Sequence, residues 1–326
     1  MTETAAQIFR RGPGDEPEYR HRPVSTLLNL HFESVWGLLV DERPHPALPP
    51  AEPFPLPVRT GDTRVDVQSA LAQLAPVWGY RPLLDIDPAR ARDDLARASV
   101  LALSFVAQSA RGPDLPAIPQ QEVAQGRCVA ERFLLRWSGA AEDAHVRALD
   151  ALWTIVADNG PESPSTQIAR IAAGTGADVG ACLSGAISGI GGPLAVGAAA
   201  RARQLAAQVH DGLDPTQAAR DALAEQSVVP GLATEGHDRR AELLREVCRR
   251  LDVRLYEAAS ALEHAGGQVY AEQVGRRSQA NVVYWGAILL DHVGFAPRLY
   301  NALIACGRTA GWSAYILEVQ RELLLH

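Results

Sequence analysis

The stretch from Asn159 to Ala200, NGPESPSTQIARIAAGTGADVGACLSGAISGIGGPLAVGAAA, decides the fold. It reads as two helices around a glycine turn. Ser163 stands at an N-cap position, and Pro164 at the first helical one, where a missing N–H is harmless. Gly174 and Gly176 end that helix. Asp178 can cap the next, which carries Val179, Leu183, Ala186, Ile187 and Ile190 at helical spacing. Ala181, Ser184, Gly185, Ser188 and Gly189 leave little side chain on its other faces. Such a helix can lie close to another backbone, that of a symmetry mate or of a second long helix. Gly191-Gly192-Pro193 then stops it, and Leu194-Ala195-Val196-Gly197 reads as a tight apolar turn.

Upstream, residues 1–18 are polar and glycine-rich and read as frayed. A helical pattern runs from Tyr19 to Val40. Pro44 to Pro57 is an irregular arm. Val65 to Trp78 is amphipathic. Asp87-Pro88 opens a longer helix to Ser109, whose part from Ser99 to Val106 is apolar enough to be core. Val129 to Trp137 and Asp143 to Val156 follow. Downstream come Arg201 to His210, Asp214-Pro215 to Glu225, Asp238 to Leu251 and Tyr256 to Val274, the last broken at Gly266-Gly267. Asn281 to His292, Pro297 to Cys306 and Thr309 to Leu324 close the chain. The expectation is an all-α fold with no sheet and no internal repeat.

Composition agrees with a full helical core: 326 residues, 47% hydrophobic, 6% aromatic. All 31 basic residues are arginine, so a Schiff-base lysine is excluded. The net charge of −7 without a basic block excludes a nucleic-acid surface. No stretch has the length of a membrane span, and the first residues lack the apolar core of a signal peptide. Cys128, Cys182, Cys248 and Cys306 form no C-x-x-C pair. Neither a metal site nor a disulfide framework is expected, and a reducing cytoplasm fits.

The pattern S-T-x-x-A-R-x-x-A-x-T-G-A-D from Ser165 to Asp178, the small-residue helix and Gly192-Pro193-Leu194 together resemble citrate synthase. Phe32-Glu33-Ser34-Val35-Trp36-Gly37-Leu38-Leu39 and Cys306-Gly307-Arg308-Thr309-Ala310-Gly311-Trp312 resemble two further signatures of that family. The likeness covers almost the whole chain and is nearest to a short actinobacterial type, alongside methylcitrate synthases. It implies a citrate synthase fold. Residues 1–195 and 289–326 would form a large dimerising domain, and 196–288 a smaller helical domain on the acyl-CoA side.

The family chemistry removes a proton from the methyl of an acyl-CoA thioester and adds the enol to oxaloacetate. The resemblance assigns this to a carboxylate and two histidines. The carboxylate's motif reads Asn281-Val282-Val283-Tyr284-Trp285 here, which puts Val283 in its place. The histidine of G-P-L-H-G-G is replaced by Ala195, and the histidine before the first helix by Asn159. Valine and alanine can neither accept nor donate a proton. Losing one general base typically costs about 10²–10⁴ in rate.

The grip on a dicarboxylate is also expected to be weak. The family's P-G-F-G-H-R clamp is replaced by Pro230-Gly231-Leu232-Ala233-Thr234-Glu235-Gly236, and a second clamp on the C-terminal tail has no counterpart before His326. Arg308 remains as the substrate-binding candidate. It reads equally as an anion clamp and as a buried ion-pair partner. Asp158, Glu162, Asp178, His210, Glu235 and His237 are the other polar candidates, each with a plain structural role available as a cap or turn residue. No cofactor is expected, and the residues themselves do not mark a site for a CoA thioester. The resulting expectation is a non-catalytic homologue acting as a homodimer, or as a heteromer with an active citrate synthase paralogue. An acyltransferase or lyase with altered chemistry, or an ordinary citrate synthase, is the alternative.

Overall fold

The computed structural model describes residues 7–190, 193–226, 229–233, 238–276 and 278–325. The chain divides into two compact units. The first comprises residues 1–11, 17–191 and 301–326, and the second residues 12–16 and 192–300.

The first unit begins with three short strands, β1 (Phe9–Arg11), β2 (Pro17–Tyr19) and β3 (Arg22–Pro23). They form an antiparallel sheet with Phe9 opposite Tyr19 and Tyr19 opposite Arg22. The all-α class holds, but two narrower expectations are corrected: that there is no sheet, and that the segment from residue 7 to residue 18 is frayed. The reason is visible in the side chains: Ile8 and Tyr19 are fully buried, and Arg10 Nε donates to Glu18 at 2.6 Å. Leu27 belongs to a short 3₁₀ turn, so the first long helix starts only at Phe32.

The helices of this unit are α1 (Phe32–Asp41), α2 (Thr63–Ala72), α3 (Leu74–Trp78), α4 (Pro88–Arg111), α5 (Gln120–Val123), α6 (Val129–Ser138), α7 (Asp143–Val156), α8 (Pro164–Gly174) and α9 (Val179–Ser188). Asp62 caps α2, which the sequence reading joined to α3; the chain breaks between them at Gln73. Asp87 caps α4 and Pro88 opens it, as expected. Every residue of α4 from Ser99 to Ala107 is buried, and the helix packs on α2, α6 and α9. Asp178 caps α9 through the amides of Gly180 and Ala181, at 2.8 and 3.0 Å. Ser163 occupies the N-cap of α8 without a side-chain cap bond.

The small-residue faces of α9 have neighbours within the chain. A Cβ on Gly180 would come 2.6 Å from the Leu71 carbonyl oxygen, and one on Gly189 would come 2.6 Å from Ser165 Cα. On α8, by contrast, Ile171 is 69% exposed.

The second unit contains α10 (Pro193–His210), α11 (Pro215–Gln226), α12 (Arg239–Arg250), α13 (Tyr256–Val274) and α14 (Val282–Val293). Strands β4 (Leu232–Ala233) and β5 (Gln279–Ala280) pair antiparallel. Two expected breaks are absent. Pro193 starts α10, so Leu194 to Gly197 are helical rather than a turn. Helix α13 runs through Gly266-Gly267, because the glycines serve packing: a Cβ on Gly266 would lie 2.7 Å from Leu232 Cδ2. Helix α15 (Tyr300–Leu323) closes the chain without the expected break near Gly307, and from Asn301 it belongs to the first unit. Among the described residues no helix is long and apolar enough to cross a membrane.

Candidate functional site

In the first unit the candidate residues gather where the end of α7 meets α15. Gly307 and Gly311 lie one turn apart on α15. A Cβ on Gly307 would fall 2.9 Å from the Trp153 carbonyl oxygen, and one on Gly311 would fall 2.7 Å from Asp158 Oδ1. Glycine at both positions lets α15 press against residues 153–158. The Gly311 amide reaches the Ala157 carbonyl at 3.1 Å. Trp312, fully buried, donates from Nε1 to Ser165 Oγ at 3.3 Å. The motif that carried the resemblance is thus a packing device along its length.

This close approach surrounds Asp158, which is fully buried. Its Oδ1 accepts the Asn159 amide at 2.7 Å and its Oδ2 accepts the Tyr315 hydroxyl at 3.1 Å. Burial raises the Asp158 pKa. The Arg308 guanidinium, the Asn159 amide and the Tyr315 hydroxyl oppose that rise without cancelling it. Tyr315 is pushed far above the ordinary tyrosine value by burial and by Asp158. Arg308 is 7% exposed. Its guanidinium charge acts on the buried Asp158 carboxyl of the same unit.

In the second unit the corresponding place is the first turn of α14. Asn281 caps it, with Oδ1 accepting the amides of Val283 at 2.9 Å and Tyr284 at 3.3 Å. Val283 is half-buried and offers no polar atom beyond its backbone. Beneath it Trp285 is fully buried and donates from Nε1 to Glu263 Oε2 at 3.2 Å. Burial raises the Glu263 pKa against the pull of Arg245, whose Nη1 lies 3.5 Å away. Glu263 and Arg245 line a cleft of about 520 Å³ with Asp238, Ser260, His264 and Gln268. Asp238 is the N-cap of α12 and also accepts the Val282 amide at 3.0 Å. Sequence reasoning missed this cleft, since Arg245, Glu263 and Gln268 read there only as polar positions on amphipathic helices.

The other candidates are dispersed. Glu162 is exposed and meets Gln167 at 3.3 Å, Asp178 is a cap, and His210 is the exposed last residue of α10. Glu235 and His237 lie outside the described residues. Ala195 lies in the first turn of α10, and the structure describes its backbone alone. Among the described candidates, Asp158 feels the charge of Arg308 and has Asn159 beside it. All four cysteines are buried free thiols. One of them, Cys128, lies with His31 and Asp150 in a group whose donor atoms are within 4.8 Å of one another.

Comparison with known proteins settles the kinship. The family model described as citrate synthase, C-terminal domain, matches residues 4–324. A protein named "Putative citrate synthase 2" from Mycobacterium tuberculosis is 44% identical over 324 residues, covering 94% of this chain and 84% of its own. A 2-methylcitrate synthase of Shewanella oneidensis is 27% identical over 202 residues, 58% of this chain and 51% of its own. Among solved structures, the Thermoplasma acidophilum citrate synthase in ternary complex with carboxymethyl coenzyme A and oxaloacetate has a TM-score of 0.77 at 18% identity. That likeness covers 96% of this chain and 88% of that one. The Thermotoga maritima citrate synthase gives 0.68 at 20% identity over the same shares. The helical architecture, the packing around Gly307 and Gly311 and the match across nearly the full length lead to one conclusion: the chain belongs to the citrate synthase family.

Proposed function

We propose that this chain is a citrate synthase homologue that does not carry out the condensation. It acts as a cytoplasmic dimeric scaffold or as a regulatory partner of an active citrate synthase. The observation that carries this reading is Val283 in the first turn of α14, where the family resemblance expects the proton-abstracting carboxylate. Asn159 and Ala195 in the two histidine places support it. So does the burial of Arg308, whose charge already acts on Asp158. In this reading residues 1–195 and 289–326 serve dimerisation, residues 196–288 form the smaller domain, and no cofactor is required.

The test is thiol release from acetyl-CoA in the presence of oxaloacetate, with native mass spectrometry of the chain alone and co-expressed with an active citrate synthase. The expected result is no thiol release, with a homodimer or a mixed dimer. Turnover to citrate contradicts the reading.

A second reading has a specific observation in its favour. The 44% identity to a protein named as a citrate synthase supports condensation on an acyl-CoA by other groups. Glu263, whose pKa burial raises, is the acid such chemistry would draw on. The same assay, run with a panel of acyl-CoA thioesters and keto acids, separates the two.

A further inference from the structure

Helices α1 and α6 begin side by side, and both begin unusually. The N-cap residue of α1 is His31 and that of α6 is Cys128, and neither side chain caps its own helix. Serine, threonine, asparagine or aspartate is the ordinary choice at such a place. Here the capping is done from elsewhere. Asp150 of α7 accepts the Phe32 amide through Oδ1 at 2.9 Å, and Glu33 of α1 accepts the Val129 amide at 3.3 Å. The imidazole and the thiol are thereby released from backbone duty and turned toward the same carboxylate. His31 Nδ1 lies 2.7 Å from Asp150 Oδ2, and the nitrogen, sulfur and oxygen donors all fall within 4.8 Å of one another.

We propose that His31, Cys128 and Asp150 form a binding site for a borderline divalent metal, zinc foremost. One nitrogen, one thiolate and one carboxylate oxygen make a mixed donor set that suits such an ion and not magnesium or calcium. Three protein ligands leave the fourth tetrahedral position to water. The surroundings supply negative charge. Glu33 and Asp150 are both buried, and Arg127 pairs with Glu131 at 2.9 Å and with Asp143 at 3.1 Å. The His31 side chain is 59% exposed, which gives an ion a path from solvent and gives the ring room to move. The ion takes the place of the hydrogen between Nδ1 and Oδ2 and displaces the thiol proton.

The proposal is independent of the catalytic question, because its readout needs no turnover. The purified chain is stripped with a chelator, dialysed against zinc and against cobalt, and its bound metal is counted by mass spectrometry. Thiolate coordination is read from the cobalt–sulfur charge-transfer absorption. The expected result is one ion per chain and a thiolate band that disappears in Cys128→Ser. In His31→Ala, zinc should bind at least about tenfold more weakly, since even outer-shell partners of a metal are worth ~10–100-fold. Circular dichroism of each variant confirms that the helices persist; the half-exposed His31 gives the safer substitution. Failure of the unmodified chain to retain zinc or cobalt overturns the proposal. So does a band that survives Cys128→Ser, which would assign the metal to Cys182, Cys248 or Cys306.

Discussion

The first turn of α14 and the crossing of α7 with α15 are both places where the family resemblance is strong, yet they have kept different things. At the crossing the retained residues are those the packing demands. Gly307 and Gly311 leave no room for a methyl group, and Trp312 fills the space behind them. At the first turn of α14 the retained residue is the cap, Asn281, while the next outward-facing side chain, Val283, carries no chemistry. A side chain at a half-exposed first-turn position can change at little cost in stability. A glycine against a carbonyl oxygen cannot. Under the proposed function, the contrast explains how a chain can keep a fold while the groups that act on substrate are exchanged.

The comparison can be broken from either side. Gly311→Ala places a Cβ against Asp158 Oδ1 and the Ala157 carbonyl, and overpacking of this kind costs about 1–3 kcal/mol. Denaturant unfolding should show it as a lower midpoint; an unchanged midpoint would mean that the crossing is looser than its distances imply.

Asp238→Asn tests the second unit at the cap that joins α12 to the start of α14. Burial works to raise the Asp238 pKa, but the Arg240 guanidinium and the Val282 and Arg240 amides outweigh it and hold the carboxyl below its ordinary value. Its contribution is therefore present above the ordinary aspartate pKa of about 4 and is lost as pH falls through the lower folded-state value. The variant should be about 1–2 kcal/mol less stable at neutral pH, with the gap closing in acid. A gap that stays constant with pH would mean that the carboxylate's charge is irrelevant.

Val283→Asp should have the smallest effect, within about 0.5 kcal/mol, because an acid in a first helical turn is tolerated or favoured. Its activity should stay at background, since Asn159 and Ala195 remain. Rescue of condensation by this single change would show that the remaining site is intact.

Much of the fold was legible in the sequence because caps are local. Asp87, Asp178, Asp238 and Asn281 each hold a helix start through an amide two or three residues away. The misread breaks at Gly266-Gly267 and Gly307 have one cause. Glycine in these helices answers a neighbour distant in sequence, Leu232 or Trp153, and a local reading treats it as punctuation. The short strands escaped because three residues are too few to carry an alternating pattern, and pairing by Phe9 and Tyr19 fixes them instead. For the candidate site, Asp158 and Arg308 read as separate polar positions; it is the glycine-lined crossing, with Gly311 pressed against Ala157 and Asp158, that sets α15 beside the Asp158 carboxyl. The group of His31, Cys128 and Asp150 left no spacing signal, since its members come from the starts of two helices and the middle of a third.

The central claim concerns chemistry, and one measurement addresses it most directly: release of free thiol from acetyl-CoA by the purified chain supplied with oxaloacetate, with citrate followed in the same sample. The account predicts a rate indistinguishable from that of the buffer alone. Sustained, enzyme-dependent formation of citrate would contradict it.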